Sequence, residues 1–206
     1  MVKFKNTVLL LVFIITASGC ASGVGKLEIS SLNQVKNDEI IIVGKIKLDP
    51  VINNIEQELK QGFPFNLLDG IETRQKNKIN ISINKKPIDI TDGDAVWQDH
   101  ITTVDLEKTF FIRVKKASIL YYSGGIIKTS LRASLNNKLY FPGGVKYKIK
   151  PGDKAIYIGT MEYYRDFNEV EKSTFINEYK EAKKEFIKKF GNKIKLRQAK
   201  PSSFKL

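Results

Sequence analysis

Residues 144–164 decide the fold: "GVKYKIKPG" (144–152) followed by "DKAIYIGTMEYY" (153–164). In the first half, Val145, Tyr147 and Ile149 alternate with Lys146, Lys148 and Lys150. An apolar parity against a lysine parity is the period of a strand buried on one face only. The second half reads as its partner strand. Between them, Pro151, Gly152 and Asp153 are turn-forming residues, which predicts a hairpin.

The same pattern continues upstream. "KTFFIRVKK" (108–116) sets Phe110, Ile112 and Val114 against Phe111 and Arg113. "SILYYSGG" (118–125) follows, with Gly124 and Gly125 as a turn signal before "IIKTSLR" (126–132). Further turn signals flank Leu139 to Phe141 in "NNKLYFPGG" (136–144). "KINISINKKP" (78–87) alternates Ile79, Ile81 and Ile83 with Asn80, Ser82 and Asn84, a strand with one buried face. "EIIIVGKIKLDP" (39–50) starts apolar on both parities and ends with Ile46 and Leu48 inward; Gly44 marks a bulge or a close backbone approach, and Pro50 a stop. "KLEISSL" (26–32) is a further strand candidate. Val51, Ile55 and Leu59 have the spacing of a short helix.

Many short strands with regular turns and no repeated helical crossover define a mainly β class: an antiparallel β-sandwich or a barrel-like sheet. One long helix is expected, near the C-terminus. In "STFINEYKEAKKEFIKKFG" (173–191), Phe175, Tyr179, Ala182, Phe186 and Phe190 form one apolar stripe, which is expected to pack on the sheet. Ser173 or Thr174 is the candidate cap, Lys188 and Lys189 occupy the last turn, and Gly191 suits the C′ position.

The first 20 residues carry a different signal. Lys3 and Lys5 precede a continuous apolar run, Val8 to Ile15. The run is too short to cross roughly 30 Å of hydrocarbon as a helix, and it fits a secretory leader. Thr16, Ala17, Ser18 and Gly19 are small, and Cys20 is the one cysteine of the chain. "ASGC" (17–20) resembles the lipobox of bacterial lipoproteins, with Cys20 at the invariant position and Ala17 where leucine is commoner. The resemblance implies removal of residues 1–19, lipidation of Cys20 with palmitate among its acyl chains, and anchoring to a bilayer. Ala21, in place of the aspartate that retains such proteins at the inner membrane, implies the outer membrane, with the domain periplasmic or surface-facing. An ordinary cleaved leader with a leftover thiol and a retained anchor are the alternatives.

The organisation then reads as leader (1–19), lipidated tether (20–26), one β-sandwich domain with its helix (27–191) and a basic tail (192–206), the last with one more edge strand at most. The chain has 206 residues and a net charge of +13; without Lys3 and Lys5 the charge is +11. For an exported protein that charge points to anionic envelope surfaces rather than to nucleic acid. The strands "EIIIVGKIKL" (39–48) and "IKPGDKAIYIGTMEY" (149–163) resemble a group of uncharacterised bacterial outer-membrane lipoproteins with a prealbumin-like or immunoglobulin-like β-sandwich. The matching residues are Ile149 to Asp153 and Tyr157 to Gly159. The resemblance implies a fold and no activity.

Motifs for catalysis are sparse. His100 is the one histidine, which excludes a two-histidine zinc site. There is no GxSxG elbow to support a triad. Asp92, Asp94 and Asp99 lack the spacing of a calcium loop and read as a polar turn. "GVG" (23–25) and "SGG" (123–125) are not nucleotide loops, so no metal and no cofactor is expected. The expectation is a non-catalytic envelope lipoprotein with a structural or protein-interaction role. Its partners would be the bilayer through Cys20 and another envelope protein or an anionic envelope polymer. The alternative is a glycan- or small-amphiphile-binding module in an aromatic cleft, with Trp97, Asp92, Asp94, His100, Tyr121 and Tyr163 as candidate contacts. A hydrolase using a carboxylate pair comes third. Lys188, Lys189, Lys193, Lys195 and Arg197 are the candidate contacts to an anionic surface, with Lys146, Lys148 and Lys150 as a second cluster.

Overall fold

A computed structural model describes residues 28–52, 77–91, 101–128, 138–166 and 169–205. The leader, Cys20, the tether, most of the suggested helix around Val51 to Leu59, and the connection holding Asp92, Asp94, Trp97 and His100 lie outside the described residues.

The described strands are β1 (Glu39–Asp49), β2 (Lys78–Asn84), β3 (Ile101–Asp105), β4 (Thr109–Lys115), β5 (Ile119–Lys128), β6 (Lys138–Lys148), β7 (Ala155–Asp166), β8 (Glu169–Ile176), β9 (Leu196–Gln198) and β10 (Pro201–Ser203). Helix α1 (Tyr179–Phe190) lies between β8 and β9, and a 3-10 turn (Leu32–Gln34) precedes β1. The first sheet runs β4-β1-β7-β8, with β9 also on β7; the second runs β10-β6-β5-β2-β3. Among the described residues the chain is a β-sandwich with one α-helix, and its sheets do not close into a barrel. Most pairs are antiparallel, but β1–β7 and β7–β9 are parallel.

Alternation along the strands builds two apolar layers. Ile40, Ile42, Ile46 and Leu48 of β1 and Phe110, Ile112 and Val114 of β4 face the second sheet, where Ile79, Ile81, Leu120, Tyr122, Phe141 and Tyr147 meet them. On the outer face of the first sheet, Ile41, Val43, Phe111, Ala155 and Tyr157 pack against Ala182, Phe186 and Phe190 of α1 and against Ile29. The apolar start of β1 is therefore buried on both faces because a helix covers the side that the second sheet does not. Gly44 does mark a shift in the β1–β7 register.

Three expectations are corrected. Pro151-Gly152 is not a hairpin: β6 pairs with β5 and β10, while β7 pairs with β1, β8 and β9. The turn carries the chain from one sheet to the other, and local turn residues cannot specify which.

Gly124-Gly125 and Pro142-Gly143-Gly144 are not turns but lie inside the long strands β5 and β6. The two strands pair across these glycines, with a register shift between Tyr122 and Gly124. A Cβ on Gly143 would lie 2.2 Å from the Ser123 carbonyl carbon, and one on Gly124 2.2 Å from the Phe141 oxygen. The glycines admit a close backbone approach.

The helix does not begin at Ser173. Residues 173–176 belong to β8 and supply the ladder for Thr160 to Tyr163 of β7. Buried backbone groups of a central strand need partners on both sides, and this need overrides the stripe. Phe175 accordingly lies off the helix, 41% exposed, with its ring above Gly159. The stripe holds from Tyr179 onward. Gly191 ends the helix, its N–H donating to the Ile187 carbonyl.

The tail is also structured. Leu196–Gln198 pairs with β7 in the first sheet and Pro201–Ser203 with β6 in the second, so residues 196–203 join both layers.

Phe186 is fully buried against Phe111 and Phe190. Truncating such a ring costs about 3–5 kcal/mol. Phe186→Ala should lower the melting temperature by roughly 6–20 °C, and Phe175→Ala by less than half as much. Equal losses in calorimetry would show that the stripe begins at Phe175 after all.

Candidate functional site

Of the proposed ligand-binding residues, only Tyr121 and Tyr163 lie among the described residues, and they occupy opposite faces of the second sheet's layer. Tyr121 points outward from β5 and meets Phe204 edge-on, with centroids 5.0 Å apart. Tyr163 points into the sandwich, 1% exposed. The fold does not bring them into one cleft.

Tyr163 belongs to a buried polar group. Its hydroxyl donates to the Pro142 carbonyl at 2.8 Å, so Tyr122 is the donor in the 2.9 Å contact between the two hydroxyls. These bonds tie β7 to β5 and β6 across the core. The Tyr147 hydroxyl is buried nearby and has no hydrogen-bond partner among the described residues. Burial pushes all three phenols above their usual pKa, so they stay protonated. The arrangement fixes the spacing of the sheets and presents nothing to solvent.

A second polar cluster lies where β8 gives way to α1. Glu178 caps the helix by position, but its carboxylate turns to the sheet: Oε1 accepts from Lys47 at 2.6 Å and Oε2 from Thr160 at 2.8 Å. Lys45 stands 3.8 Å from Oε2. The Glu178 N–H donates to the Tyr157 hydroxyl at 3.0 Å. Because Thr160 donates to Glu178, Tyr157 must donate to Thr160 across their 3.3 Å contact. The donors and acceptors therefore close a ring. Partial burial raises the Glu178 carboxyl, but the Lys47 and Thr160 bonds and the two lysine charges outweigh it and hold it below the usual carboxylate range. The Glu178 bond raises Lys47, so both partners stay ionised. An ammonium and a carboxylate held in this way supply neither a free base nor a nucleophile. Their effect is to fasten the start of α1 to β1 and β7.

The basic candidates divide. Arg197 makes two bonds to Asp153, from Nε and Nη2, and a third to the Lys148 carbonyl. Its hydrogen bonds lower the Asp153 carboxyl, and Asp153 in turn raises Arg197. This charge is matched within the fold. Lys189 lies 4.5 Å above the Phe111 ring. Lys188, Lys193 and Lys195 are exposed.

The fold joins Lys148 and Lys150 of the second cluster to lysines that sequence reading passed over, Lys36, Lys115, Lys116 and Lys154. Strand directions place the start of β1, the end of β4, the start of β5, the end of β6 and the start of β7 at one end of the sandwich. Hydrogen bonds link these turns: Lys116 N–H to the Asp38 carbonyl, Ile149 N–H to Ser118, and Ile41 N–H to Lys154. Lys36, Lys115, Lys116, Lys148, Lys150 and Lys154 are all exposed there. The pairing of Leu196 with Ala155 brings Lys195 beside Lys154. Asp38, Glu39 and the paired Asp153 are the acids of these turns. The opposite end carries Asp49, Asp105, Glu107, Asp166 and Glu169 with Lys78, Lys108 and Lys138, the first two lysines bridged to Asp105. There Arg165 donates to the Pro50 and Val51 carbonyls. Among the described residues, the domain is thus basic at one end, while at the other the five acids are balanced by Lys78, Lys108, Lys138 and Arg165 together with Lys128, which pairs with Lys138.

Two measurements test the polar clusters. The depressed Glu178 carboxyl contributes stability that is complete above its unfolded value, about 4.3, and is lost as pH falls through the lower folded value. Glu178→Gln should therefore be less stable than wild type at pH 7 and lose less on acidification. Parallel melting-temperature curves from pH 7 to 3 would refute the role. The unpartnered hydroxyl makes Tyr147→Phe neutral or stabilising, whereas Tyr163→Phe should cost about 1–3 kcal/mol in urea unfolding. The reverse order would mean that Tyr147 holds the structural bond.

Searches against protein-family models, characterised proteins and solved structures return no match for this chain.

Proposed function

We propose that the chain is a lipoprotein of the bacterial envelope, anchored at the outer membrane through acylated Cys20, and that its sandwich has a non-catalytic structural or protein-interaction role. The observation that carries this reading is the leader: Lys3 and Lys5, the apolar run from Val8 to Ile15, and "ASGC" ending at the one cysteine. Two or more acyl chains make a stable anchor, since each buried methylene adds roughly 0.8 kcal/mol. The described sandwich supports a non-catalytic role through what its polar side chains do. Glu178, Lys47, Thr160, Tyr163, Asp153 and Arg197 all spend their hydrogen bonds joining elements of the fold. Within this reading the domain is related in architecture to prealbumin-like or immunoglobulin-like lipoprotein sandwiches.

The test is metabolic labelling in a bacterial host. Labelled palmitate should enter the wild-type chain and be absent from Cys20→Ser, which should also leave the membrane fraction. Equal labelling of both would overturn the anchor.

A further inference from the structure

The basic end of the sandwich is assembled from turns that are remote in sequence. Lys36, Lys115, Lys116, Lys148, Lys150 and Lys154 come from three connections, the turn before β1, β4–β5 and β6–β7, and are exposed. None of them forms an ion pair with an acid among the described residues. The 11 residues of β1 separate this end from the opposite, charge-balanced one by about 33 Å. That distance is several Debye lengths at physiological salt, about 8 Å each, so a surface at one end is screened from the other.

The direction of the chain supplies a second, independent observation. Glu28 bridges Ile112 in antiparallel sense, and the Ile29 N–H donates to the Phe111 carbonyl. The described chain therefore starts with its N-terminal side toward Lys115 and Lys116, three to four residues further along β4 and its turn, or roughly 10–13 Å. Only residues 21–27 separate Glu28 from Cys20. Their full reach is at most roughly 28 Å. Ile112 pairs with Ile42, and Asp49 at the opposite end lies seven residues further, about 23 Å. A membrane at the basic end is within easy reach of the tether, while one at the opposite end would consume nearly all of it.

We propose that the basic end of the sandwich is a membrane-facing surface, held against the anionic phospholipid headgroups of the bilayer in which Cys20 is anchored. The orientation rests on the lipoprotein reading, but the headgroup contact can be measured without it. The anchor raises the local concentration of the lysines at the surface, so weak individual attractions suffice to orient the domain. The opposite, charge-balanced end then faces away from the membrane.

The experiment uses residues 21–206, which keep every described element and lack Cys20. Co-sedimentation is measured with vesicles of phosphatidylglycerol and phosphatidylcholine, and with phosphatidylcholine alone, at about 0.02 M and about 0.5 M salt. The wild-type chain should prefer the anionic vesicles at least tenfold at low salt and lose that preference at high salt. The combined variant Lys115→Gln, Lys116→Gln, Lys150→Gln and Lys154→Gln should lose at least tenfold in affinity. Lys78→Gln, Lys108→Gln, Lys172→Gln and Lys183→Gln, with the same change in net charge, should stay within threefold of wild type. Melting curves confirm that both variants are folded. Equal losses in the two variants, wild-type binding indifferent to lipid charge, or equally tight binding to soluble polyphosphate would overturn the proposal. Absent palmitate labelling with intact vesicle selectivity would instead overturn the anchor and leave the surface standing.

Discussion

The structure depends on one non-local pairing, the parallel ladder of β1 with β7. It joins Ile41 to Ala155 and runs to Asp49 beside Tyr164. A parallel pair cannot be closed by a tight turn, so four strands of the second sheet, β2, β3, β5 and β6, are threaded between its two strands together with β4. The chain must then cross from β6 to β7 at Pro151-Gly152. β7 is flanked along its length, by β1 on one side and by β8 and β9 in succession on the other. The switch from β8 to β9 forces the chain out of the sheet at Asn177 and back at Leu196, and α1 is that excursion. Its apolar stripe covers the half of the outer face that would otherwise leave Ile41, Val43 and Phe111 in water. The Glu178 ring sits where the excursion begins and ties it to both strands of the ladder.

Strands were legible wherever alternation alone decides them. The bounds of β1, β2 and β4 follow from parity, and the two-sided burial at the start of β1 follows from its unbroken apolar run. Glycine was misread because it serves turns and close approaches alike. In Gly124 and Gly143 only the partner strand, invisible in the local sequence, distinguishes the two. The start of α1 was misread for a related reason. Phe175 fits the stripe by spacing, but the ladder requirement of β7 claims residues 173–176 for a strand. Val170, Thr174 and Ile176 give that outcome a local basis, since β-branched residues suit a pleated surface.

The candidate site was less legible than the fold. Lys146, Lys148 and Lys150 were visible as a stripe, and Lys188 to Arg197 as a cluster, because each is contiguous in sequence. The basic end is not contiguous. Lys36, Lys116 and Lys154 meet only because β1, β4 and β7 are ordered as they are, so no window of sequence contains the signal. Arg197 shows the opposite error. It counts as a surface cation by sequence, but its guanidinium closes on Asp153 and on the Lys148 carbonyl, so it fastens β9 to the crossover.

That fastening explains how a basic tail comes to be part of a sandwich. Strands at sheet edges expose unpaired backbone groups that invite other chains. β9 occupies the part of β7 that β8 leaves open, and β10 pairs with Tyr147, Lys146 and Val145 of β6. Ala199, buried between them, donates its N–H to the Tyr157 carbonyl and turns the chain from one sheet to the other. One short segment thus covers an edge in each layer. It also carries Lys195 to the end already rich in lysine and matches the charge of Arg197 within the fold. Folding and surface charge are set by the same eight residues: the pairing that closes the edges determines which cations of the tail remain free to meet an anionic surface.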